Sequence, residues 1–563
     1  MTTDVASDPA SRLDTLPPES LDVGYWFEPG VLSLGHETIA WAERWLIQPN
    51  GPHAGRPWRF TARQKRFLLH WYELDESGGW KYHHGVRRLA KGSGKSPFAA
   101  ALSLIEFCAH CRLERIVDPE HPDPRRRVSA QPVAMPWVQI AATAESQTKN
   151  TMRMVRAFAA KGSKVVAAHA LDPGKTVYYR QPEGTLEVIT SSATAAEGAE
   201  TSHATGDETE HWRPSNGGVD LADTLGDNLA KSGSRMVETC NSWVPGDESV
   251  AEATWDAWVA QEEGRVRTDT KILYDAVVAP PDTDMADRAS LYRSLEHVYA
   301  DCPWMNLPVI ANKIWDLRSK PDESSRKYLN RPTAPLDAWT TKEAWDVLAD
   351  PRLTVDDAEE IVAFFDGSKS DDATALVGCR VSDGHVFKVG VWEAPAGPSG
   401  ERWEVPVVEV DQTVDLMFER WTVRAFFGDV REWESFVHTA WPARHGEGLL
   451  LWAHKAGRNA SPIAWDMRSH TMDFTRAAEA TLTDIIDGEI SHDGDAAVAR
   501  HVVNARRRPN RWGTSIGKES RASARKIDGA VCVIGARMVR RFLLASPEWA
   551  EHNKSKSARV WGY

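Results

Sequence analysis

Arg87-Arg88-Leu89-Ala90-Lys91-Gly92-Ser93-Gly94-Lys95-Ser96 is the stretch whose reading decides the fold. Its glycines allow a backbone that turns N–H groups toward an anion. Lys95 follows as a point charge, and Ser96 offers a hydroxyl to a metal. Pro97-Phe98-Ala99-Ala100-Ala101-Leu102-Ser103-Leu104-Ile105 comes next, a good helix former with proline near its first turn. A helix N-terminus beneath a glycine-rich loop is a phosphate site. The strict P-loop pattern G-x-x-x-x-G-K-[ST] asks for glycine where Leu89 stands, so only its second half is present. A lysine-bearing helix cap is the competing reading, and the rest of the chain has to decide.

The flanks read as α/β. Val86 to Ala90 is the expected strand entering the loop. Val138-Gln139-Ile140-Ala141-Ala142 and Leu186-Glu187-Val188-Ile189-Thr190 are further short apolar strands. Between them, Thr143 to Thr148 resembles a strand-end loop leading into a helix through Met152, Val155 and Phe158. Strands alternating with helices predict a parallel sheet. Residues 31 to 80 are helical in pattern, with Ile39, Trp41 and Trp45 at helix spacing, whereas residues 1–30 are polar and proline-bearing, an expected loose arm. Gln64 lies on a helix shortly before the loop, where its amide can read an adenine edge.

His203-Ala204-Thr205-Gly206-Asp207-Glu208-Thr209-Glu210-His211-Trp212 carries an acidic pair at an expected strand end. ATP hydrolysis needs such a pair, one carboxylate for Mg²⁺ and one to orient water. Arg235-Met236-Val237-Glu238-Thr239-Cys240-Asn241 is a fourth strand, ending in polar residues suited to sensing a γ-phosphate. Arg125-Arg126-Arg127 is a basic run, either facing nucleic acid or a loop. Cys108-Ala109-His110-Cys111 holds half of a zinc spacing without a second C-x-x-C, and structural zinc takes four ligands, so buried thiols are expected.

Beyond residue 266 the chain is rich in charge and proline, an expected helical connector ending near 355. A second strand-rich unit follows. Glu360 to Asp366 is an apolar strand ending in an acid, then a Gly/Ser turn and another apolar strand. Val423 to Asp429 repeats the design, and Ser523 to Ala536 is an expected helix of small and apolar residues carrying Asp528. Asp366, Asp429 and Asp528 form an ordered set able to hold two divalent ions about 4 Å apart for phosphodiester cleavage. Asp371, Asp372, Asp493 and Asp495 are rivals or auxiliaries. From Arg500 to Asp528 there are nine Lys/Arg, Arg506, Arg507, Arg508 and Arg511 among them, against two acids. A basic face beside a metal cluster is where a DNA backbone would lie.

Bulk properties bound the function. At 563 residues, two or three domains are expected. Charged residues at 26% and hydrophobic residues at 42% read as soluble and globular. No apolar run approaches the roughly 18–20 residues that span a bilayer, and the N-terminus lacks the pattern of a signal peptide. Six cysteines make no disulfide framework and suit a reducing cytoplasm. The net charge of −13 argues against a uniformly basic coat but allows a local basic groove.

Taken together, the order of parts over residues 35 to 545 resembles the large subunit of a tailed-bacteriophage terminase. The resemblance rests on Lys91 to Ser96, Asp207 to Trp212 with Asn216-Gly217-Gly218, Glu238 to Gly246, Phe365 to Ser368 with Asp372 to Leu376, and Lys526-Ile527-Asp528. It implies a P-loop ATPase over 31–265 with a parallel-containing sheet flanked by helices. It further implies a helical connector over 266–355, an RNase H-like nuclease over 356–545, an arm over 1–30 and a tail over 546–563. By resemblance Gln64 serves the adenine. Lys91, Gly92, Ser93 and Gly94 cradle phosphate, and Lys95 takes the β/γ-phosphates. Ser96 and Asp207 serve Mg²⁺, Glu208 is the catalytic base, and Thr239 and Asn241 couple hydrolysis to motion. Lys91 or Arg88 is placed to stabilise γ-phosphate charge. Asp366, Asp429 and Asp528 carry over as nuclease ligands for two Mg²⁺ or Mn²⁺ ions, with Asp495 competing for the third place. ATP-driven translocation of viral double-stranded DNA and cutting of concatemers are the implied activities. The implied partners are a small recognition subunit, a procapsid portal and a homo-oligomeric ring, in the host bacterial cytoplasm with no membrane. A helicase-like ATPase–nuclease of repair or restriction is the alternative, but it should carry further helicase motifs after Asn241.

Overall fold

The computed structural model describes residues 12–51, 53–191, 199–268, 270–368, 373–394, 403–455, 460–519, 523 and 525–560. The chain divides into two compact units between Thr333 and Ala334.

The first unit is built on an eight-stranded sheet. In chain order its strands are β1 (His84–Arg88), β2 (Trp137–Ala142), β3 (Leu171–Pro173), β4 (Val177–Arg180), β5 (Gly184–Thr190), β6 (His203–Asp207), β7 (Arg235–Cys240) and β8 (Ile272–Ala276). They lie side by side as β8-β1-β7-β6-β2-β5-β4-β3. The first six are mutually parallel, and β4 and β3 add an antiparallel edge. The loop strand β1 therefore sits between β7 and β8, with β7 separating it from β6.

Helices α1 (Gly35–Trp45), α2 (Ala62–Trp71), α3 (Lys95–Cys108), α4 (Glu145–Phe158), α5 (Gly218–Ser232) and α6 (Val250–Glu262) cover the two faces. Alternation along the strands sorts the cores. Val138, Ile140, Leu186, Val237 and Leu273 pack with residues of α1 to α4 such as Trp41, Phe67, Leu102 and Phe158. Their chain neighbours point the other way. Ala141, Ile189, Ala204 and Met236 meet Leu221, Leu225 and Leu229 of α5, and Val86, Cys240 and Tyr274 meet Trp258 of α6.

Two sequence expectations change here. The 266–355 segment is not one connector, because β8 is a strand of the first sheet. Helices α7 (Arg288–Val298), α8 (Leu307–Ile314) and α9 (Pro321–Tyr328) also lie within the first unit. Nor is the arm loose from residue 12 onward. Asp14 accepts from Arg63 Nη1 at 2.6 Å and Nη2 at 2.7 Å, and Thr15 Oγ1 donates to the Tyr274 carbonyl at 3.0 Å. Trp26 is buried. Arg127 is also buried, its guanidinium donating to the carbonyls of Phe27, Glu28 and Val31, so this member of the basic run anchors the arm and faces no DNA.

The second unit carries β9 (Glu360–Asp366), β10 (Thr374–Arg380), β11 (Val386–Trp392), β12 (Thr422–Asp429) and β13 (Ala464–Trp465), ordered β11-β10-β9-β12-β13. The first three are antiparallel neighbours, while β12 and β13 run parallel to β9. This is the RNase H-like arrangement. Val362 and Phe364 face α11 (Thr471–Asp487) and α13 (Asp528–Leu544), whereas Ile361, Ala363 and Phe365 face α10 (Val407–Arg420). Helix α12 (Ala496–Asn504) leads into a hairpin of β14 (Arg506–Asn510) and β15 (Gly513–Gly517). Among the described residues no helix is long and apolar enough to cross a membrane.

Candidate nucleotide and metal sites

The loop after β1 is held in a turn that only glycine adopts freely at two places. Gly92 has φ +93° and Gly94 φ +79°. A Cβ on Gly92 would lie 2.6 Å from Met305 Cε, and one on Gly94 would lie 3.1 Å from the Trp304 ring. The loop is strapped from outside. Trp304 Nε1 donates to the Gly92 carbonyl at 2.9 Å, Tyr299 Oη to the Lys91 carbonyl at 2.8 Å, and the Lys91 N–H to the Lys327 carbonyl at 2.7 Å. Sequence reasoning missed Trp304 and Met305, since they lie some two hundred residues beyond the loop and carry no motif.

Lys95 opens α3, partly buried, with Ser96 beside it. Its Nζ donates to the Leu89 carbonyl at 2.6 Å, the Ala90 carbonyl at 3.2 Å and Asn241 Oδ1 at 2.6 Å. Burial pulls the lysine pKa down, while the charges of Glu210, Cys240, Asp207 and Glu208 push it back up. The sheet thus brings Lys95, Asp207, Glu208 and Asn241 into one neighbourhood. Asp207, at the end of β6, accepts from Thr239 Oγ1 at 2.7 Å and from Thr151 Oγ1. Burial raises the Asp207 carboxyl, and the two threonines oppose that rise. Glu208 follows in a left-handed conformation, φ +57° and ψ +49°. For a non-glycine residue this costs about 1–2 kcal/mol, and such strain gathers at functional sites.

Gln64 is buried at the start of α2. Its Oε1 closes a capping box with the Thr61 N–H at 3.1 Å, and its Nε2 lies near the loop glycine Gly94. Arg88 does not face the phosphate loop. Its guanidinium lies 4.4 Å from the Trp255 ring centre and 4.9 Å from that of Trp243, so it is a buried cation in an aromatic cage and not a candidate for γ-phosphate charge. The Lys91 residue is exposed.

In the second unit Phe365 pairs with Gly428, so Asp366 and Asp429 end adjacent parallel strands. Asp528 begins α13, which packs across β9 and β10. Close approach is secured at Gly535, where a Cβ would lie 2.2 Å from Phe364. The Cys532 thiol donates to the Ala375 carbonyl at 3.2 Å and is pushed well up, by burial first and then by the charges of Asp366, Asp528 and Asp429. Ala375 is the cross-strand partner of Asp366, Asp528 lies one helical turn before Cys532, and Asp429 ends the strand beside that of Asp366, so the fold directs all three toward Cys532. Burial also lifts the Asp429 carboxyl, with Asp466 adding to the rise, although the Met467 N–H at 3.1 Å opposes it. Asp466, just after the two-residue β13, was not found from sequence because so short a strand has no periodicity.

An all-carboxylate donor set suits hard cations such as Mg²⁺ and Mn²⁺. Among the described residues, no three or more His, Cys, Asp or Glu side chains are gathered closely enough to hold an ion as they stand. Asp371 and Asp372 lie outside the described residues. The rival Asp495 is occupied as the cap of α12, accepting from the Ala497 and Val498 N–H groups at 3.0 Å and pairing with Lys388. Asp493 accepts from the Lys388 N–H at 2.8 Å. Cys108 ends α3 and Cys111 lies on the next strand, both buried thiols.

The basic stretch separates into two kinds of arginine. Arg506 is 1% exposed, donating to the Val503 carbonyl at 2.8 Å. Arg508 binds Asp337 at 3.1 Å and the Lys518 and Glu519 carbonyls. Neither presents a free guanidinium to DNA, because each holds chain segments together. Arg507 and Arg511 are exposed, and Arg511 lies 4.7 Å over the exposed Trp512 ring at the hairpin tip.

A phosphate loop on a parallel sheet, followed by an RNase H-like sheet with carboxylates at adjacent strand ends, defines the class as a two-unit P-loop and RNase H-like chain. No protein-family model matches it. It is 33% identical over 532 residues to the Gene 13 protein of Mycobacterium phage D29, covering 89% of this chain and 85% of that one. To the Gene 13 protein of Mycobacterium phage L5 it is 33% identical over 537 residues, covering 89% and 86%. The chain belongs to the family of these phage Gene 13 proteins. Among solved structures, the HK97 bacteriophage large terminase matches at TM-score 0.48 and 15% identity, over 90% of this chain and 100% of that one. The large terminase of a thermophilic bacteriophage matches at TM-score 0.32 and 8% identity, over 87% and 100%.

Proposed function

We propose that this protein is the large subunit of a tailed-phage terminase, an ATP-driven translocase of double-stranded DNA and a metal-dependent endonuclease. One observation carries the reading. Lys95, at the start of α3, bonds Asn241 just past β7, and Asp207 of β6 bonds Thr239 of β7, so two side-chain pairs meet at the end of the one strand. The loop N–H groups and Lys95 bind the β/γ-phosphates, and Gln64 recognises the adenine. Ser96 and Asp207 hold Mg²⁺, Glu208 orients the attacking water, and Thr239 and Asn241 pass the loss of the γ-phosphate to β7. In the second unit Asp366, Asp429 and Asp528 hold Mg²⁺ or Mn²⁺, two ions in our reading. The bound metal supplies an activated water and charge stabilisation for phosphodiester cleavage. Arg507 and Arg511 contact the DNA backbone. The protein acts in the host cytoplasm as a ring docked on a procapsid portal, with a small subunit to recognise DNA.

The test has two arms. Purified protein is expected to hydrolyse ATP, and Lys95→Ala to lose that turnover; unchanged turnover overturns the loop assignment. Plasmid nicking with Mn²⁺ is expected to fall at least about 100-fold in Asp366→Asn, since even outer-shell partners of a metal are worth 10–100-fold. ATP turnover should survive that change. Nicking that persists removes Asp366 from the site.

A further inference from the structure

Glu210 has no role in the chemistry assigned above, yet it is built into the same site. It is 4% exposed and lies in the short helical turn Thr209–His211 that follows β6. Its Oε1 accepts from Asn241 Nδ2 at 2.9 Å. The other end of the same amide, Asn241 Oδ1, accepts from Lys95 Nζ at 2.6 Å. Glu210 Oε2 is buried and has no hydrogen-bond partner among the described residues. Asn241 is thus a bridge between an acceptor-only carboxylate and a donor-only ammonium. A primary amide has one donor end and one acceptor end, so only one of its two orientations satisfies both neighbours. The flipped amide would aim N–H at an ammonium and oxygen at a carboxylate.

Resting on the ATPase reading above, we infer that Glu210 is a positioning residue: it fixes the Asn241 amide so that Oδ1 faces Lys95. Lys95 then has one defined partner at the end of β7, against which a nucleotide's phosphates compete. Without Glu210 the amide is oriented by Lys95 alone and its Nδ2 loses its acceptor, so the contact between the phosphate-binding lysine and the coupling strand is held by one bond in place of two and weakens. A buried carboxylate, three residues beyond Asp207, serves this purpose where a solvated glutamate would not.

The experiment is steady-state ATP turnover by the full chain, with kcat and KM measured separately. Wild type and Lys95→Ala come first. If wild type does not hydrolyse ATP, or Lys95→Ala does not impair it, the ATPase reading itself fails. With that reading intact, Glu210→Ala is expected to lower kcat about tenfold, as loss of one buried, charge-assisted hydrogen bond does, with KM changed far less. Glu210→Gln retains an acceptor for Asn241 Nδ2 and should keep most of kcat. Glu210→Ala added to Asn241→Ala should cost nothing more, because residues acting through one contact are not additive. Full additivity overturns the inference, and so does a Glu210→Gln loss as severe as that of Glu210→Ala, which would mean a proton-transfer role. Should Glu210→Ala not fold, the exchange pair decides. Asn241→Asp sets two acceptors against each other and should be inactive. Adding Glu210→Gln supplies the missing donor and should restore turnover; failure to restore it overturns the inference.

Discussion

Leu89 occupies the place where a strict P-loop has glycine, and its surroundings explain why it is tolerated. Its N–H donates to the Cys240 carbonyl at 3.1 Å, so strand pairing continues into the loop, and its carbonyl turns onto Lys95. Positive φ is needed only at Gly92 and Gly94, both of which are glycine. The residue types were therefore legible, whereas their partners were not. His203 is an example. Nothing in the sequence marks it, yet it is buried beside Glu106, and burial pushes its imidazole down to about 4 from an ordinary 6.5. Between those values the unfolded chain takes up a proton that the folded chain refuses. Stability is therefore complete above pH 6.5 and falls as pH drops toward 4, by roughly 3 kcal/mol from this group alone. Glu106, held near 2 despite burial by Arg112 and His203, loses its contribution in the same direction at lower pH. Melting temperature followed from pH 7 to 4 is expected to fall, with His203→Gln flattening the upper part of the decline; a curve unchanged by that variant would contradict it.

At the scale of elements, the hairpin of β14 and β15 divides its arginines by geometry. Side chains alternate across a strand, and Asn510 Nδ2 and the Thr514 N–H tie the hairpin to Thr475 and Glu479 of α11 at 2.9 Å and 2.8 Å. Arg506 at the base is buried, whereas Arg507, Asn510 and Arg511 toward the tip stay in solvent. Arg511→Ala and Arg507→Ala are each expected to reduce the slope of log affinity for DNA against log salt by about 0.9, the value of one phosphate contact, with little change in melting temperature. Arg506→Ala should instead destabilise the second unit by about 2–4 kcal/mol, as removal of a buried hydrogen-bonded cation does, and leave the salt slope of the folded protein alone. Filter binding across a salt series and thermal melts separate the two outcomes. The sequence read this run as one basic face, because charge density is visible in a sequence and burial is not.

At the scale of the molecule, each unit has its own sheet and its own two-faced core. A chain divided between Thr333 and Ala334 is expected to give two fragments that each melt cooperatively, ATP turnover staying with the first and metal-dependent nicking with the second. A cut at residue 265, where the composition changes, removes the edge strand β8 and with it Asp275, the acid that pairs with both Arg63 and Arg87. That fragment should aggregate. By itself the sequence determined the loop, the acids at strand ends and the alternating apolar faces, because local backbone preference and side-chain periodicity are written in short windows. Only the tertiary structure decided that β8 completes the first sheet, that Arg88, Arg127 and Arg506 are internal, and that Glu210 reaches Lys95 through Asn241. Those outcomes depend on contacts between residues tens to hundreds of positions apart, and burial and partnership at that range are fixed by packing, which no short window of sequence contains.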